Sequence, residues 1–385
     1  MEEARIGLVG YKFMGKAHSN AYLTAPKFFD CPLKPVMKAI CGREEAGVKA
    51  AADNFGWESY ETDWKKLVER DDVDAIDISA PSIVHRDIAV AAAENGKHIF
   101  CEKPLAFTAA EGEEMLAAVE KAGVRHMMGF NYRRVPALGL AKRLIEEGRI
   151  GRVFHVRCTY LQDWLVDPGF PMNWRLRKAV AGSGAHGDLN AHLIDTAHFL
   201  VGPMTQVVGM SETFIKERPA EGSSDGLTAT AGEGTEKVEL DDATLFLTRF
   251  ESGALGSFEA TRFATGRKNH NRIEINGSDG SLVFCFERMN ELEYFSRNDD
   301  DHARGFRTIL ATESNHPYMS AWWPPGHIIG YEHTFVHEVY DLLCCIAKEK
   351  DCSPNFRDGL AVQYVLEAVD RSIDEGKWVD VPKGK

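Results

Sequence analysis

The chain has 385 residues, which is long for one hydrophobic core and favours two domains. Its formal net charge of −13, with no compensating basic block, would repel a phosphate backbone and argues against nucleic acid as a partner. No apolar run approaches the ~18 residues that span a bilayer, so we expect no membrane insertion. The cysteines are scattered without a Cys-x-x-Cys pair and no export signal is visible, so we expect a cytoplasmic protein.

The first 130 residues predict a parallel sheet covered by helices. Five apolar runs (RIGLVG, PVMKAIC, VDAIDISA, KHIFCE and VRHMMGF) alternate with amphipathic segments that each end on glycine. The last of these segments opens with a capping box from Thr108 to Glu111. We therefore predict a Rossmann dinucleotide-binding domain over residues 1–130.

From residue 131 the pattern changes to longer alternating runs joined by glycine-containing turns such as ESGA and GSDG. Residues 219–236 are rich in small and polar side chains and predict a surface loop. The chain as a whole is thus predicted to be α/β. Residues 131–385 form a second α/β domain with a large, mostly antiparallel open sheet, and the C-terminal helix is free to pack back on the first domain.

The turn GLVGYKFMG follows the first strand and leads into a helix, which is the context of a dinucleotide fingerprint. Gly10 and Gly15 take the first and third glycine positions, and Phe13 and Met14 lie between them. Lys12 stands where a second glycine normally lets the backbone approach the pyrophosphate. Its ammonium group could instead offer charge to a phosphate. We expect these five residues to bind the cofactor.

The second strand ends in AICGRE, so Gly42 and Arg43 stand where an acidic residue usually binds the ribose 2′-hydroxyl. An arginine at this point removes repulsion from a 2′-phosphate and adds a cation that binds it. The sequence therefore favours NADP over NAD. The alternative is that Arg43 is a solvated residue at the start of a helix.

Six motifs occur in order along almost the whole chain: GLVGYKFMGKAH, APSIVH (80–85), CEKPLA (101–106), GFNYRR (129–134), NWRLRKAVAGSGAHGDLNAHLID (173–195) and INGSDGSL (275–282). With these motifs the chain resembles the Gfo/Idh/MocA oxidoreductases, which include glucose–fructose oxidoreductase, inositol dehydrogenases and levoglucosan dehydrogenase-like enzymes. The resemblance implies a Rossmann domain for a nicotinamide cofactor. It also implies a C-terminal domain whose open sheet frames the substrate and often mediates oligomers, here a dimer or tetramer.

The resemblance also implies roles for individual residues. In the family the lysine of Glu-Lys-Pro and an Asp-x-x-x-His pair form the catalytic group, which falls here on Lys103, Asp188 and His192. Tyr132 and Arg133 match a stretch near the substrate. The further residues that are implied to line the cofactor are Ala80, Pro81, His85, Glu102, Lys103, Asn131, Trp174 and Arg175.

These residue types suit the oxidation of a secondary alcohol, in which a hydride leaves carbon and a proton leaves oxygen. The cofactor takes only the hydride, so a side chain must take the proton, and His192 is the candidate base. Asp188 and Asp195 share a helical face with it at 100° per residue. Asp188 can hydrogen-bond the substrate or tune the imidazole, and Lys103 can donate to the substrate oxygen as charge develops there.

A metal site is the alternative for this segment, since a histidine with two carboxylates is acceptable ligand chemistry. The ammonium group of Lys103 would repel a dication, and no second ligand-spaced cluster completes the coordination. We therefore predict no metal.

Two aromatic stretches are candidates for sugar recognition. TYLQDW offers Gln162 and Asp163, and the loop over residues 316–333 offers Trp322 and Trp323 for stacking on a sugar ring. Asp195 is a further candidate contact, and packing roles are the alternative for the tryptophans.

The sequence thus predicts an NAD(P)-dependent dehydrogenase that transfers a hydride between nicotinamide and a ring secondary hydroxyl of a sugar, glycoside or cyclitol. Its partner is a small-molecule polyol or sugar. Two alternatives stay open: a redox-neutral, NAD-dependent enzyme that cleaves glycosides, and a nucleotide-sensing regulatory protein without turnover.

Overall fold

The structure, a computed structural model, describes residues 2–224 and 229–384. Its strands are β1 (Glu3–Val9), β2 (Lys34–Cys41), β3 (Ser59–Glu61), β4 (Ala75–Ile78), β5 (His98–Glu102), β6 (His126–Gly129), β7 (Val153–Leu161), β8 (Met204–Glu212), β9 (Glu217–Ser224), β10 (Ala229–Lys237), β11 (Ala243–Phe250), β12 (Leu255–Thr261), β13 (His270–Gly277), β14 (Gly280–Cys285), β15 (Glu291–Ser296), β16 (Arg307–Leu310) and β17 (Val379–Asp380). Its α-helices are α1 (Phe13–Phe28), α2 (Glu45–Phe55), α3 (Trp64–Val68), α4 (His85–Glu94), α5 (Ala109–Ala122), α6 (Pro136–Glu146), α7 (Lys178–Ala181), α8 (Ala191–Val201), α9 (Tyr331–Ala347) and α10 (Phe356–Glu375).

The described chain divides into two compact units. The first contains the residues up to Asn131 together with Tyr331–Gln363, and the second contains the other described residues. The sequence assigns residues 131–385 to the second domain and leaves the C-terminal helix free to pack on the first, and this division stays a prediction. Helix α9 packs on α1 within the first unit, where the ring of Phe29 lies 4.6 Å from that of Tyr340. Nothing local in the sequence of α9 indicates this long-range packing.

The first unit is built on a parallel sheet of six strands in the order β3-β2-β1-β4-β5-β6. This is the predicted Rossmann arrangement, with its strand order reversing between β1 and β4. All residues of β4 are buried, which explains why three of its four residues are apolar. Strand β3 and helix α3 were not predicted, because three half-buried residues and a single helical turn carry no clear periodicity.

Local signals placed the ends of the helices in this unit correctly. The Thr108 hydroxyl accepts from the Glu111 amide at 3.2 Å, and the Glu111 carboxylate accepts from the Thr108 amide at 3.2 Å, which completes the predicted capping box of α5. The same helix ends at Gly123, whose φ of 66° lies in the left-handed region.

The second unit contains a nine-stranded sheet in the order β16-β15-β14-β13-β7-β12-β11-β8-β17. Strands β7 and β12 pair in parallel and the other neighbours pair antiparallel, which confirms the predicted, mostly antiparallel sheet. Helix α8 packs on β7, while α6 packs on β14 and β15, so one face is buried. The other face exposes apolar side chains such as Met210, Leu247 and Leu255. The homo-oligomer stays a prediction.

The predicted surface loop over 219–236 is wrong in its described part. Strands β9 and β10 pair there as an antiparallel hairpin, and residues 225–228 lie outside the described residues. Arg177 anchors the hairpin through ion pairs with Glu221 at 2.5 Å and Glu236 at 2.9 Å. Both strands are rich in polar and small residues, and β10 is mostly exposed, so they lack the apolar alternation by which a strand is predicted.

None of the described helices combines the length and apolar content that crossing a membrane requires. The cytoplasmic location and the absence of a nucleic-acid partner stay predictions.

Candidate active site

The turn after β1 is closed so tightly that it requires glycine. Gly10 has a φ of 109°, and a Cβ added to it would lie 2.8 Å from the Ser79 carbonyl oxygen. A Cβ on Gly15, in the first turn of α1, would lie 2.1 Å from the Gly10 carbonyl oxygen. The predicted first and third glycine positions therefore have a direct steric cause.

The N-terminus of α1 fits a phosphate group. Lys12 occupies the N-cap position without a side-chain capping bond, and the first turn contains no acidic residue. The amide groups of the first turn and the positive end of the helix dipole therefore favour an anion. The side chain of Lys12 is exposed and does not fill the turn, so its departure from the glycine pattern is compatible with a dinucleotide. Phe13 is exposed and Met14 is half-buried beside it.

At the carboxyl end of β2 the sequence predicts that Arg43 favours a 2′-phosphate, but the structure places a carboxylate at the N-terminus of the next helix. The carboxylate of Glu44 caps α2 and accepts from the amides of Ala46 at 3.0 Å and Gly47 at 2.7 Å. The ring of Tyr11 covers Gly42, where an added Cβ would lie 2.2 Å from the tyrosine Cδ1. Burial and the nearby Glu44 charge both raise the pKa of Tyr11. The anion site at this helix N-terminus is thus filled by a carboxylate of the chain itself.

The Glu-Lys-Pro segment follows β5 at the carboxyl edge of the parallel sheet, and Lys103 is half-buried there. Glu102 is only 5% exposed, and its carboxylate contacts the His18 Nε2 at 3.1 Å and the Lys103 amide at 3.2 Å. His85 is 1% exposed, and its ring nitrogens contact the carbonyl oxygens of Pro104 at 3.0 Å and Ala80 at 2.8 Å. The polar atoms of both side chains thus bind the chain itself, and their predicted contact with the cofactor stays a prediction.

Asn131 also binds the chain itself, and its predicted contact with the cofactor stays a prediction. It is 3% exposed, and its amide nitrogen donates to the Thr334 hydroxyl at 2.9 Å within the same unit. Ala80 is half-buried and Pro81 is exposed, and their contact with a cofactor stays a prediction.

In the second unit, Asp188 lies in a π-helical turn, His186–Asn190, that runs directly into α8. The wider hydrogen-bond spacing of a π turn shifts Asp188 relative to the α-helical face that the sequence predicts, and such turns occur frequently at functional sites. Asp188 accepts from the Arg262 Nη2 at 2.8 Å. Its side chain is 35% exposed, whereas that of Arg262 is 2% exposed. A buried guanidinium therefore orients a carboxylate that solvent can reach.

His192, at the start of α8, lies against a hydrogen-bonded row of polar aromatic residues. Its ring centroid is 4.5 Å from that of Tyr132. The Tyr160 hydroxyl donates to the Asn269 side-chain oxygen at 2.7 Å, so the Tyr132 hydroxyl, 2.6 Å away, donates to Tyr160. Tyr132 also packs on Phe286 at 4.6 Å between ring centroids. These contacts fix the ring on which the imidazole rests.

Arg133 and Asp195 form a buried ion pair, and their predicted role in substrate binding stays a prediction. Two guanidinium nitrogens of Arg133 contact the Asp195 carboxylate at 2.6–3.0 Å, and their side chains are 4% and 2% exposed. The two side chains thus pair with each other inside the second unit. The helical periodicity alone could not separate this structural carboxylate from Asp188.

The first of the two predicted sugar-binding stretches contains Gln162 and Asp163, which both bind neighbouring side chains. Gln162 is half-buried, donates to Asn269 at 3.2 Å and accepts from the Trp164 indole at 3.0 Å. Asp163 binds the Lys268 ammonium at 2.8 Å and the Gly266 amide at 3.0 Å, so its carboxylate stabilises a loop. The predicted substrate contacts of Gln162 and Asp163 stay predictions. Lys268, and then the Gly266 amide, lower the pKa of Asp163.

Tryptophans occur at both the predicted sugar-binding and the predicted cofactor-binding positions. Trp322 is half-buried and Trp323 is 49% exposed, and their stacking on a sugar stays a prediction. The Arg175 guanidinium lies 4.3 Å from the centroid of the Trp174 ring. Burial lowers the pKa of Arg175, the nearby Asp188 opposes that shift, and Arg262 adds to it. Arg175 therefore belongs to the charge cluster around Asp188.

One cluster in the described part of the chain has the composition of a metal site. His270 Nδ1 lies 3.1 Å from the Glu287 carboxylate and 3.5 Å from the Cys285 sulfur. The Arg267 guanidinium lies 3.3 Å from the same nitrogen and would repel a cation there. The prediction of no metal stays a prediction.

Four residues that contact the predicted site residues were not singled out from the sequence: His18, Tyr160, Arg262 and Asn269. His18 carried a signal, because it ends the motif GLVGYKFMGKAH. Arg262 directly follows the alternating strand β12 as a charged residue, but only its burial, at 1% exposure, reveals its importance.

Comparison with known proteins agrees with this geometry. Residues 4–130 match the model of the oxidoreductase family with an NAD-binding Rossmann fold, GFO/IDH/MocA, and residues 139–283 match the model of the GFO/IDH/MocA C-terminal domain. The chain belongs to the GFO/IDH/MocA oxidoreductase family. It is therefore an enzyme of the NAD-binding oxidoreductase type, as the six motifs indicate.

Relatives of known name match over their whole length. Levoglucosan dehydrogenase of Pseudarthrobacter phenanthrenivorans is 45% identical over 388 residues, covering 100% of this chain and 99% of that protein. An oxidoreductase domain protein from Kribbella flavida has a structure that matches with a TM-score of 0.95 at 54% identity, covering 100% of both chains. A levoglucosan dehydrogenase in complex with NADH and levoglucosan matches with a TM-score of 0.94 at 44% identity, covering 99% of this chain and 100% of that one.

Proposed function

We propose that this oxidoreductase is an NAD-dependent dehydrogenase that oxidises a ring secondary hydroxyl of levoglucosan or of a sugar of similar size. The observation that carries the proposal is the similarity to levoglucosan dehydrogenase over the whole chain, at 45% identity. The polar aromatic row beside His192 supports it, since sugar sites combine apolar ring faces with a few oriented polar groups.

The residues proposed to hold the cofactor are the glycine turn after β1 and the uncapped N-terminus of α1. When bound, the nicotinamide nucleotide accepts the hydride from the substrate carbon. His192 accepts the proton of the substrate hydroxyl while the carbon–oxygen double bond forms. The proposed role of Lys103 is to donate a hydrogen bond to a substrate oxygen as charge develops on it. Asp188, oriented by Arg262, accepts from a substrate hydroxyl.

A substrate panel tests the proposal directly. We expect the purified enzyme to reduce NAD with levoglucosan, at a kcat/KM at least tenfold above that with glucose or myo-inositol. The rise in reduced-nicotinamide absorbance measures this rate. Cleavage of a glycoside without net NAD reduction would contradict the proposal and favour the redox-neutral alternative, whereas nucleotide binding with no turnover on any sugar would favour the sensor.

We also propose that the cofactor is NAD rather than NADP. The Glu44 carboxylate already occupies the amide groups at the N-terminus of α2, where a 2′-phosphate would otherwise bind. A phosphate there would displace that carboxylate and be repelled by it. Arg43 is exposed, and its charge and that of Glu44 act in opposite directions on the pKa of Tyr11. This physical argument replaces the preference for NADP expected from Arg43 alone.

Replacing Glu44 by serine is expected to shift the ratio of the NADP and NAD dissociation constants by about tenfold or more towards NADP, because serine still caps the helix but removes the charge. Isothermal titration calorimetry of both nucleotides measures the shift without turnover. The matched control is Glu45→Ser in the same helix turn, where the carboxylate accepts from the Tyr60 hydroxyl instead. An equal shift in both variants would contradict a specific role of Glu44.

A further inference from the structure

A buried histidine in the first unit links three elements of the nucleotide-binding sheet. His18 on α1 is fully buried, and its Nδ1 lies 2.8 Å and 2.9 Å from the two carboxylate oxygens of Asp77 on β4. Its Nε2 lies 3.1 Å from the Glu102 carboxylate at the end of β5. Both ring nitrogens thus face carboxylates, which are acceptors when ionised, so the ring donates on both sides as an imidazolium.

The surroundings of His18 hold this ring in one orientation. Phe100 stacks on it at 4.9 Å between centroids with an interplanar angle of 15°, and Phe335 lies at 5.6 Å. Tyr22 donates its hydroxyl to Asp77 at 2.9 Å, so the carboxylate is held from two sides. Burial by itself would lower the pKa of His18, but Asp77 and then Glu102 raise it well above its ordinary value.

The hydrogen-bond network of His18, Asp77 and Glu102 ends on the backbone of the Glu-Lys-Pro segment. One oxygen of Glu102 contacts His18, and the other accepts from the Lys103 amide at 3.2 Å. On the far side of the lysine, His85 contacts the carbonyl oxygen of Pro104 at 3.0 Å. The backbone around Lys103 is therefore fixed from both sides by buried side chains that do not reach solvent.

We propose that His18 is a positioning residue for Lys103, holding the Glu102 carboxylate so that it fixes the backbone from which the lysine side chain extends. The inference rests on the catalytic role of Lys103 proposed above. A small misplacement of a catalytic group costs up to about 10²-fold in rate, so the network acts on turnover without contacting the substrate.

Two isosteric variants separate the two sides of the imidazole. Gln at position 18 keeps an amide donor near the Nε2 position and so retains Glu102, whereas Asn keeps a donor near Nδ1 and retains Asp77. We expect His18→Asn to lower kcat at least tenfold with the substrate KM and the NAD dissociation constant within about threefold, and His18→Gln to keep kcat within about threefold. Tyr22→Phe is the matched control, because it removes a bond to the same Asp77 without touching Glu102.

Hydrogen–deuterium exchange of the Lys103 amide provides a readout that does not depend on turnover. We expect its exchange to rise at least tenfold in His18→Asn, and to stay near that of the parent protein in His18→Gln and Tyr22→Phe. Glu102→Gln, which removes the charge at equal size, replaces the Asn variant if that variant does not fold, and is expected to show the same two changes.

The outcomes distinguish the inference from the proposed function. A parent enzyme that oxidises no sugar contradicts the proposed function, and the exchange measurement still decides whether His18 fixes the segment. Unchanged exchange in His18→Asn overturns the inference. So does a loss of kcat that follows the melting temperature in all variants, Tyr22→Phe included, because that pattern shows a structural role only.

Discussion

Replacing His192 by glutamine is expected to lower kcat by about 10²–10⁴-fold, the usual contribution of a general base. Glutamine has a similar size and can still hydrogen-bond, but it cannot accept the proton of the substrate hydroxyl. The NAD dissociation constant is expected to stay within about threefold, because His192 belongs to the α8 segment and not to the nucleotide turn. Stopped-flow measurement of a single turnover checks the rate, and calorimetry checks binding.

The matched control for this experiment is His198→Gln on the same helix. His198 is half-buried, and its Nε2 accepts from the Met204 amide at 3.4 Å, so it serves the local backbone. We expect its replacement to leave kcat within about twofold. A His192→Gln enzyme with the activity of this control would refute the assignment of His192 as the base.

Breaking the buried pair of Arg133 and Asp195 is expected to cost about 3–5 kcal/mol of unfolding free energy. Asp195→Asn removes the charge that compensates a guanidinium whose side chain is 4% exposed. Arg133→Met leaves the Asp195 carboxylate, 2% exposed, without its main partner and also removes a contact with the Phe199 ring at 5.2 Å. Chemical denaturation followed by intrinsic fluorescence measures the loss.

A double variant distinguishes a structural pair from a functional one. Arg133→Met combined with Asp195→Leu removes both charges together, and it is expected to recover most of the stability lost in either single variant. Its kcat/KM for the sugar should then lie within about threefold of the parent enzyme. If the double variant is stable but has lost sugar binding, that result supports the substrate role that the sequence predicts for these residues.

Much of the fold was accessible from local sequence. The alternation of apolar runs with amphipathic segments predicts the parallel sheet because each strand of such a sheet is buried on both faces. The capping box at Thr108 and Glu111 predicts the start of α5 because its hydrogen bonds join residues three positions apart. The hairpin of β9 and β10 was missed, since its polar strands have no apolar face from which to infer pairing.

The candidate site was only partly accessible in the same way. The ordered motifs identified the segment with Asp188 and His192. The glycine turn after β1 could be predicted because a Cβ at Gly10 or Gly15 would clash with nearby backbone oxygens. Which polar groups are open to a ligand could not be predicted. Glu44 and Arg43 are neighbours in sequence, yet only the structure reveals that the carboxylate takes the amide groups at the helix start.

Periodicity, capping and glycine requirements act over a few residues, so the sequence by itself determined the α/β organisation and the glycine turn after β1. The family followed from the resemblance of six ordered motifs. Tertiary structure decided the partners of the charged side chains. Asp188 pairs with Arg262, 74 positions away, and Asp195 pairs with Arg133, 62 positions away. His18 binds Glu102 across 84 positions. A buried charge requires a partner, and folding alone brings that partner from a distant strand or helix.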